Sequence, residues 1–356
     1  MFSAAEQNAM AVAMAEAGKG GKRVFPNPLV GAVILNSQGI VLSSGFHGFC
    51  GAPHAEREAL GRIDSADGCT MVVTLEPCCH HGRTPPCTEA IIQAGIVRVV
   101  VAMKDPDPRM SGKGVRILRE NGIEVETGLM ESEAEELNSL YLHHLRTGRS
   151  FLHLKMAGTL DGRSAAADGS SRWITGPESR RRVHLYRKNA HAVLVGAGTA
   201  EKDDPSLTVR SVDCPNDQQP VRIILTDREL SQSLKVFRDG GRTVVASPFH
   251  IKVPDFVELW PDIHSLDELL IKTAAEGLGM VFCEGGGTLA ASLVKAELVD
   301  RLSIFTAPAL LGGSGLPLIG NTGSASIDDM IRLKNVTVER TGSDILTEGT
   351  IVHRAD

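Results

Sequence analysis

Aromatic residues are scarce in this 356-residue chain, at 4%, with two Trp and two Tyr. So thin a supply speaks against a surface on which unpaired bases stack. Positive charge is not in excess either. The 37 Lys and Arg stand against 43 Asp and Glu, and the net charge of −6 gives no broad basic field to draw nucleic acid. No apolar run approaches the ~20 residues that cross a bilayer. The N-terminus lacks the basic start and unbroken apolar stretch of a signal peptide. Ser3 and Glu6 instead form the S-x-x-E pattern of a capping box, and Met10, Ala13, Met14 and Ala17 recur at helical spacing, so a helix ending near Gly18 is expected. Seven cysteines, four of them outside a single loop, make no disulfide framework and fit a reducing compartment. A cytoplasmic protein is expected, with neither membrane nor nucleic acid as partner. Internal repeats and low-complexity segments are absent.

What is present is the material of two ordinary domains: 42% hydrophobic and 22% charged residues over a length beyond the usual single domain. "LVGAVILN" and "GIVLSSGF" read as paired strands around a turn at 37–39, and "HAEREALGRI" as a helix with Pro53 near its first turn. "TMVVTLE", "VRVVVAM" and "GIEV" read as strands separated by helices, one of them closed by Gly95. A polar, acidic helix is expected over 131–148. From "RSFLHLKMAGTLDG" onward a second strand–helix series begins, with a helix after the capping box Thr175-x-x-Glu178. Alternation with short connections implies α/β sheets covered by helices, with domains over 1–148 and 149–356. Residues 212–220 read as an exposed loop.

The loop Thr74–Cys87, "TLEPCCHHGRTPPC", gathers Cys78, Cys79, His80, His81 and Cys87. Such a cluster is often a structural zinc site. Yet Cys78 and Cys79 are adjacent, as are His80 and His81, and adjacent side chains diverge in most backbone conformations. Upstream, "PHAERE" supplies His54-x-Glu56 at a helix start, about twenty residues before a strand that ends in Pro77–Cys78. This has the form of the zinc-deaminase pattern H-x-E…P-C-x-x-C. Cys87, after Pro86 and before a helix, is the nearest candidate for the second cysteine. His54, Cys78 and Cys87 as the three ligands leave one position open, as in a catalytic site, where zinc makes water acidic near neutral pH. Helix N-termini beneath the ligands favour thiolates. Glu56 is then the general base and acid, and Cys79 a bystander.

"TLEPCxHxGRTPPC", with eight residues between its cysteines, resembles the deaminase of the bifunctional riboflavin-biosynthesis deaminase–reductases. "PNPLVGAVI", "PHAE" and "DPDPRMSGKG" resemble the same family in the same order. So do "LKMAGTLDGRSA", "SRWIT", "AVLVGAGT", "DDPSLTVR" and "EGGGTLAASL", and the likeness covers nearly the whole chain. Cys79, Asp107 and Phe46 depart from the serine, asparagine and tryptophan common in that family; none is an expected zinc ligand. The resemblance implies a cytidine-deaminase-like three-layer α/β/α domain followed by a dihydrofolate-reductase-like α/β domain. It implies a phosphorylated substrate, a diaminopyrimidinone carrying a ribosylamine 5′-phosphate, whose ring 2-amino group is replaced by oxygen. Asn27, His47, His80 and Arg83 match family positions near that substrate. Arg83 is the candidate for the phosphate, against the alternative of a solvated side chain.

The second half taken alone offers "VFCEGGGTLAASLV", a strand, a glycine-rich turn and a helix, and "VLVGAGT", a strand ending in glycines. Backbone N–H groups there suit a phosphate, though a plain tight turn also explains the glycines. Neither stretch is a G-x-G-x-x-G in a βαβ unit, so a Rossmann assignment does not hold. The resemblance implies NADPH-dependent reduction of a ribosyl group to ribityl, with hydride going to C1′ of the ring-opened imine. It implies cofactor contacts at Ala157, Trp173, Thr199, Asp203, Thr226, Gly286, Gly287, Thr288 and Leu289. It implies substrate contacts at Ser171, Arg187, Leu207, Arg210 and Glu284, with Arg187 and Arg210 as phosphate partners. Trp173 also reads as a core aromatic. Lys155 and Asp203 are candidates for proton transfer, and Arg228 for the cofactor's 2′-phosphate. A homo-oligomer is expected, with no motif that specifies its order. Two rival readings remain: a nucleoside or nucleic-acid deaminase with an accessory domain, and a zinc-stabilised binding module in which Glu56 is incidental.

Overall fold

The computed structural model describes residues 1–80, 85–108, 110–238 and 240–352, and the chain separates into two compact units, Met1–Thr147 and Gly148–Asp356. In the first, β1 (Gly31–Leu35) and β2 (Val41–Phe46) form the expected hairpin. β3 (Thr70–Leu75) runs antiparallel to β1, and β4 (Arg98–Met103) and β5 (Glu124–Thr127) continue parallel to β3. The sheet order is β2-β1-β3-β4-β5.

Strands covered on both faces must be apolar at successive positions, and this sheet shows why. Ala32, Ile34, Met71, Val73, Val99 and Val101 pack on α2 (Ala55–Leu60), α3 (Cys87–Gln93) and α4 (Lys113–Glu120). The alternate residues Val33, Leu35, Val72, Val100 and Ala102 pack on α1 (Ala4–Gly18), α5 (Glu131–Leu137) and α6 (Ser139–Thr147). The result is the three-layer α/β/α arrangement. Helix α1 carries the Ser3–Glu6 capping box and buries Met10, Ala13 and Ala17.

The single helix expected over 131–148 is two, broken at Asn138. Its buried side chain accepts from the Leu29 N–H at 2.8 Å and donates to the Leu29 carbonyl at 3.1 Å. A long-range amide clamp thus sets the break, which helical periodicity cannot signal.

The second unit has β6 (Phe151–Thr159), β7 (Arg163–Ala165), β8 (Ala192–Gly196), β9 (Val221–Leu225), β10 (Thr243–Ala246) and β11 (Glu258–Trp260). It continues with β12 (Met280–Cys283), β13 (Arg301–Ala307), β14 (Leu316–Pro317), β15 (Leu333–Thr341) and β16 (Asp344–Ile351). Its main sheet runs β11-β10-β9-β8-β12-β6-β13-β16-β15, parallel as far as β13 and antiparallel at the last two pairings; β7 and β14 pair separately. Helices α9 (Leu266–Ala275) and α10 (Gly287–Lys295) cover one face, and α7 (Pro177–Asn189) and α8 (Ala197–Asp203) pack on the other.

The capping box expected at Thr175–Glu178 does not form. Gly176 is the N-cap, with Pro177 in the first turn, and the buried Asp344 carboxylate accepts from the Gly176 N–H at 2.7 Å and the Ser179 hydroxyl at 2.5 Å. Proline's fixed φ and missing N–H suit it to that first position, so the helix starts beyond Thr175. A carboxylate 168 residues away in sequence serves as the cap. No helix among the described residues is long and apolar enough to cross a membrane.

Candidate active sites

His54 is the N-cap of α2 and Cys87 the first residue of α3, while Cys78 follows the end of β3. The three meet. His54 Nδ1 lies 3.4 Å from Cys78 Sγ and 3.3 Å from Cys87 Sγ. The Cys87 N–H donates to Cys78 Sγ at 3.3 Å, and the Thr88 N–H to the Cys78 carbonyl at 3.1 Å. All three ligand atoms fall within 4.8 Å of one another, and no other such trio of His, Cys, Asp or Glu occurs among the described residues. Tetrahedral zinc, with bonds of about 2.3 Å to sulfur and 2.0 Å to nitrogen, sets sulfur and nitrogen about 3.5 Å apart, so the donors fit the ion. Cys79 stays outside the trio.

The electrostatics suit a cation. A hydrogen bond from the Cys87 thiol, helped by His54, holds the Cys78 thiol down to about 4. The same bond, then burial, pushes the Cys87 thiol up, as one negative charge between them opposes a second. The hydrogen bond to Cys78 raises His54. Glu56, on α2 and only 3% exposed, has its carboxyl pushed up by burial and then by the charge of Cys78.

Glu56, His54 and Cys78 open onto a cavity of about 510 Å³, also lined by Asn27, His47, His80, Asp105 and Tyr141. Buried His47 bonds the Pro53 carbonyl through Nδ1 at 3.1 Å and the Asn27 amide nitrogen through Nε2 at 3.0 Å. A carbonyl can only accept and an amide nitrogen only donate, so this ring is neutral with its proton on Nδ1. Burial, first among its causes, lowers the His47 pKa in keeping with that form. The exposed His80 sits on the cavity wall with Nδ1 3.0 Å from Met110 Sδ. Arg83 and His81 lie outside the described residues.

Sequence reasoning missed Glu76. Its buried carboxylate accepts from the N–H groups of Asp105 at 3.2 Å, Gly112 at 2.9 Å and Val115 at 3.1 Å, capping α4 and fixing the cavity wall. Gly114 makes this approach possible, since a Cβ there would lie 2.2 Å from the Pro77 carbonyl oxygen. Asp105, also missed, accepts from the Asp107 N–H at 3.0 Å and the Tyr141 hydroxyl at 3.1 Å. Glu76→Gln turns an amide toward groups that need an acceptor. It is expected to lower the stability of the first unit by about 2 kcal/mol in chemical denaturation.

In the second unit the parallel strands bring their carboxyl ends to one edge, the usual place for a ligand in such sheets. Register pairs Leu154 with Cys283 and Leu194 with Cys283, so Glu284 stands level with Lys155. Ala157 lies further along β6, Thr226 follows β9, and Thr199 sits on α8. The Gly286 N–H at the start of α10 donates to Thr199 Oγ1 at 3.1 Å.

Arg187 does not stand free as a phosphate fork. Its Nε and Nη2 hold Glu284 at 2.5 and 3.1 Å, and Nη1 donates to the Thr208 carbonyl at 2.9 Å. Burial works to raise the Glu284 carboxyl, but the Arg187 charge and hydrogen bonds overcome it and hold the carboxyl down. Burial lowers the Lys155 ammonium, opposed by Glu284 and Asp203. His184 is brought to about 4 by burial and then by Arg187 and Arg210, and its Nδ1 accepts from the Arg210 N–H at 3.2 Å. The Arg210 side chain is exposed near Ser206, and buried Leu207 belongs to the core with φ 56°.

Trp173 is no core aromatic. It is 72% exposed, with the Arg180 guanidinium 4.6 Å from its ring centroid. Ser171 precedes it in the same loop, and Arg172 donates to the Asp203 carbonyl. Arg228 is paired with Glu201 at 2.6 Å.

Residues 150–347 match the family model for the RibD C-terminal domain, and residues 3–103 that for the cytidine and deoxycytidylate deaminase zinc-binding region. The chain is 42% identical to the riboflavin biosynthesis protein RibD of Aquifex aeolicus, over 97% of this chain and 98% of that protein. It is 37% identical to the Escherichia coli protein of the same name, over 94% and 96%. Among solved structures, that of Acinetobacter baumannii RibD superposes with a TM-score of 0.88 at 36% identity, covering 98% of this chain and 99% of that one. A Thermotoga maritima diaminohydroxyphosphoribosylaminopyrimidine deaminase/5-amino-6-(5-phosphoribosylamino)uracil reductase gives 0.87 at 35%, with 98% and 99% covered.

Proposed function

The chain belongs to the riboflavin biosynthesis protein RibD family, and from that premise we propose that it performs two consecutive reactions. The first is hydrolytic deamination of 2,5-diamino-6-ribosylamino-pyrimidinone 5′-phosphate, in a zinc-dependent domain over 1–148. The second is NADPH-dependent reduction of the ribosyl side chain to ribityl, in a domain over 149–356. The observation that carries this reading is the meeting of His54, Cys78 and Cys87 beside buried Glu56, at a cavity that His54, Cys78 and Glu56 line. The alternative of a nucleoside or nucleic-acid deaminase with an accessory domain gives way, because that second half matches the RibD C-terminal domain.

Zinc held by His54, Cys78 and Cys87 supplies, when bound, the Lewis acidity that turns water into a nucleophile near neutral pH. Glu56 takes one proton from the water and delivers it to the ring nitrogen, then takes the second from the hydroxyl now on the carbon and delivers it to the departing amine, which leaves as ammonia. A carboxyl that burial makes more basic is suited to both transfers. Neutral His47 holds the nitrogen of Asn27 and leaves its amide oxygen to accept from a substrate amino group. His80 lies at the cavity wall, and Arg83 is the candidate for the phosphate.

In the second reaction NADPH, when bound, supplies hydride to C1′. Thr199, Thr226 and the 286–289 turn stand at the strand ends where a phosphorylated cofactor is held. Lys155, its ammonium made more acidic by burial, is the candidate proton donor, with the charges of Glu284 and Asp203 acting against that shift. Arg187 serves by orienting Glu284, and exposed Arg210 is the better placed of the two arginines for the substrate phosphate.

The test is to supply the diaminopyrimidine phosphate with and without NADPH and follow both products. Ammonia should appear without NADPH, and nicotinamide oxidation only after deamination. Stripping the metal with a chelator should abolish ammonia release, spare reduction of the deaminated intermediate, and be reversed by added zinc. Reduction of the diamino compound itself, or deamination that needs NADPH, would contradict the assignment.

A further inference from the structure

Arg57 follows Glu56 on α2, and its Nη2 donates to the Pro86 carbonyl at 3.1 Å, 29 residues along the chain. Pro86 is the N-cap of α3, a helix start without a side-chain cap, and Cys87 is the next residue. The Arg57 Nε is buried and makes no hydrogen bond. A buried donor without an acceptor costs free energy that turning the side chain outward would recover, so the inward pose needs a reason. The three ligands come from three segments. Cys78 and Cys87 are joined to each other by the Cys87 and Thr88 N–H groups. Arg57 bonds the helix of His54 and Glu56 to that pair from outside the ligand set.

We propose that Arg57 is a positioning residue for the metal centre, fixing the segment of Cys87 against the helix that carries His54 and Glu56. The inference rests on the zinc reading above. Partners behind the ligands that hold them in place raise metal affinity by preorganising the donors.

Arg57→Met keeps the aliphatic stem and removes every donor; Arg57→Lys keeps the charge without the fork. The measurement is competition for zinc between the full chain and a chromophoric chelator, with circular dichroism and reduction of the deaminated intermediate as folding controls. Arg57→Met is expected to bind zinc about tenfold more weakly, with Arg57→Lys between it and the parent. Should Arg57→Met fail to fold, the Arg57→Lys affinity decides alone. A folded variant that holds zinc as tightly as the parent overturns the proposal, even if its melting temperature falls, because the role is then structural only. If the parent chain binds no zinc, the zinc reading itself fails. If the parent binds one ion and the variant binds it equally well, only the role of Arg57 fails.

Discussion

Glu56→Gln is expected to keep its zinc, to release ammonia about 10²–10⁴-fold more slowly, and to reduce the deaminated intermediate at the parent rate. The exchange is nearly isosteric, and the residue is not among the three metal donors, so the ion has no reason to leave. What disappears is a group able to accept a proton from water and pass it on. Burial makes the loss severe, since at 3% exposure bulk solvent has no ready path to replace the carboxylate. Reduction should survive because its residues belong to the separate unit Gly148–Asp356. Zinc content by atomic emission, ammonia by coupled assay and nicotinamide absorbance separate the three claims. Deamination near the parent rate would remove Glu56 from the mechanism, whereas a parent chain that binds zinc and releases no ammonia would favour a metal-stabilised binding module.

The second large effect concerns Arg187, whose side chain is 11% exposed and faces Glu284 at 10%. Removing one partner of a buried pair leaves an uncompensated charge, at about 3–5 kcal/mol. Arg187→Met should therefore lower the stability of the second unit by about that amount at neutral pH and abolish reduction, while ammonia release continues. Both tryptophans, Trp173 and Trp260, lie in this unit, so tryptophan fluorescence during denaturation reports it selectively.

The pH dependence has a definite sign. In the parent, the Glu284 carboxyl is held below its ordinary value of 4.5, so its contribution is present above that value and lost as pH falls through the folded pKa. Without Arg187, burial leads, opposed by the charges of Lys155 and His184, and the carboxyl moves up. The variant can then shed its buried charge by protonation, and its deficit should shrink on acidification. A deficit that is constant between pH 7 and pH 5 would mean that packing, not charge, sets the effect.

The cluster of His54, Cys78 and Cys87 that could hold a metal was legible because zinc chemistry demands rare residue types in a fixed order, and these announce themselves in one dimension. The three-layer fold was legible for a related reason: strands covered on both faces must be apolar throughout, as Val99–Ala102 are. Long-range polar partners were not. Nothing near Glu76 in sequence says that its carboxylate will cap a helix beginning at Lys113. Nothing near Thr175 says that Asp344 will replace it as a cap. Arg187 read as a free fork because Glu284 lies 97 residues away. Strand β16 escaped notice because its charged and glycine positions interrupt the apolar alternation, though Leu346 and Ile351 are buried. Trp173 read equally well as core or cofactor contact, since an aromatic residue alone does not report which way its loop faces.

X-ray absorption at the zinc edge of the purified chain tests the account most directly. The expected result is one ion per chain, with two sulfur neighbours at about 2.3 Å and the remaining shell of nitrogen and oxygen. A chain free of zinc, or a shell closed by a third sulfur such as that of Cys79, would contradict it.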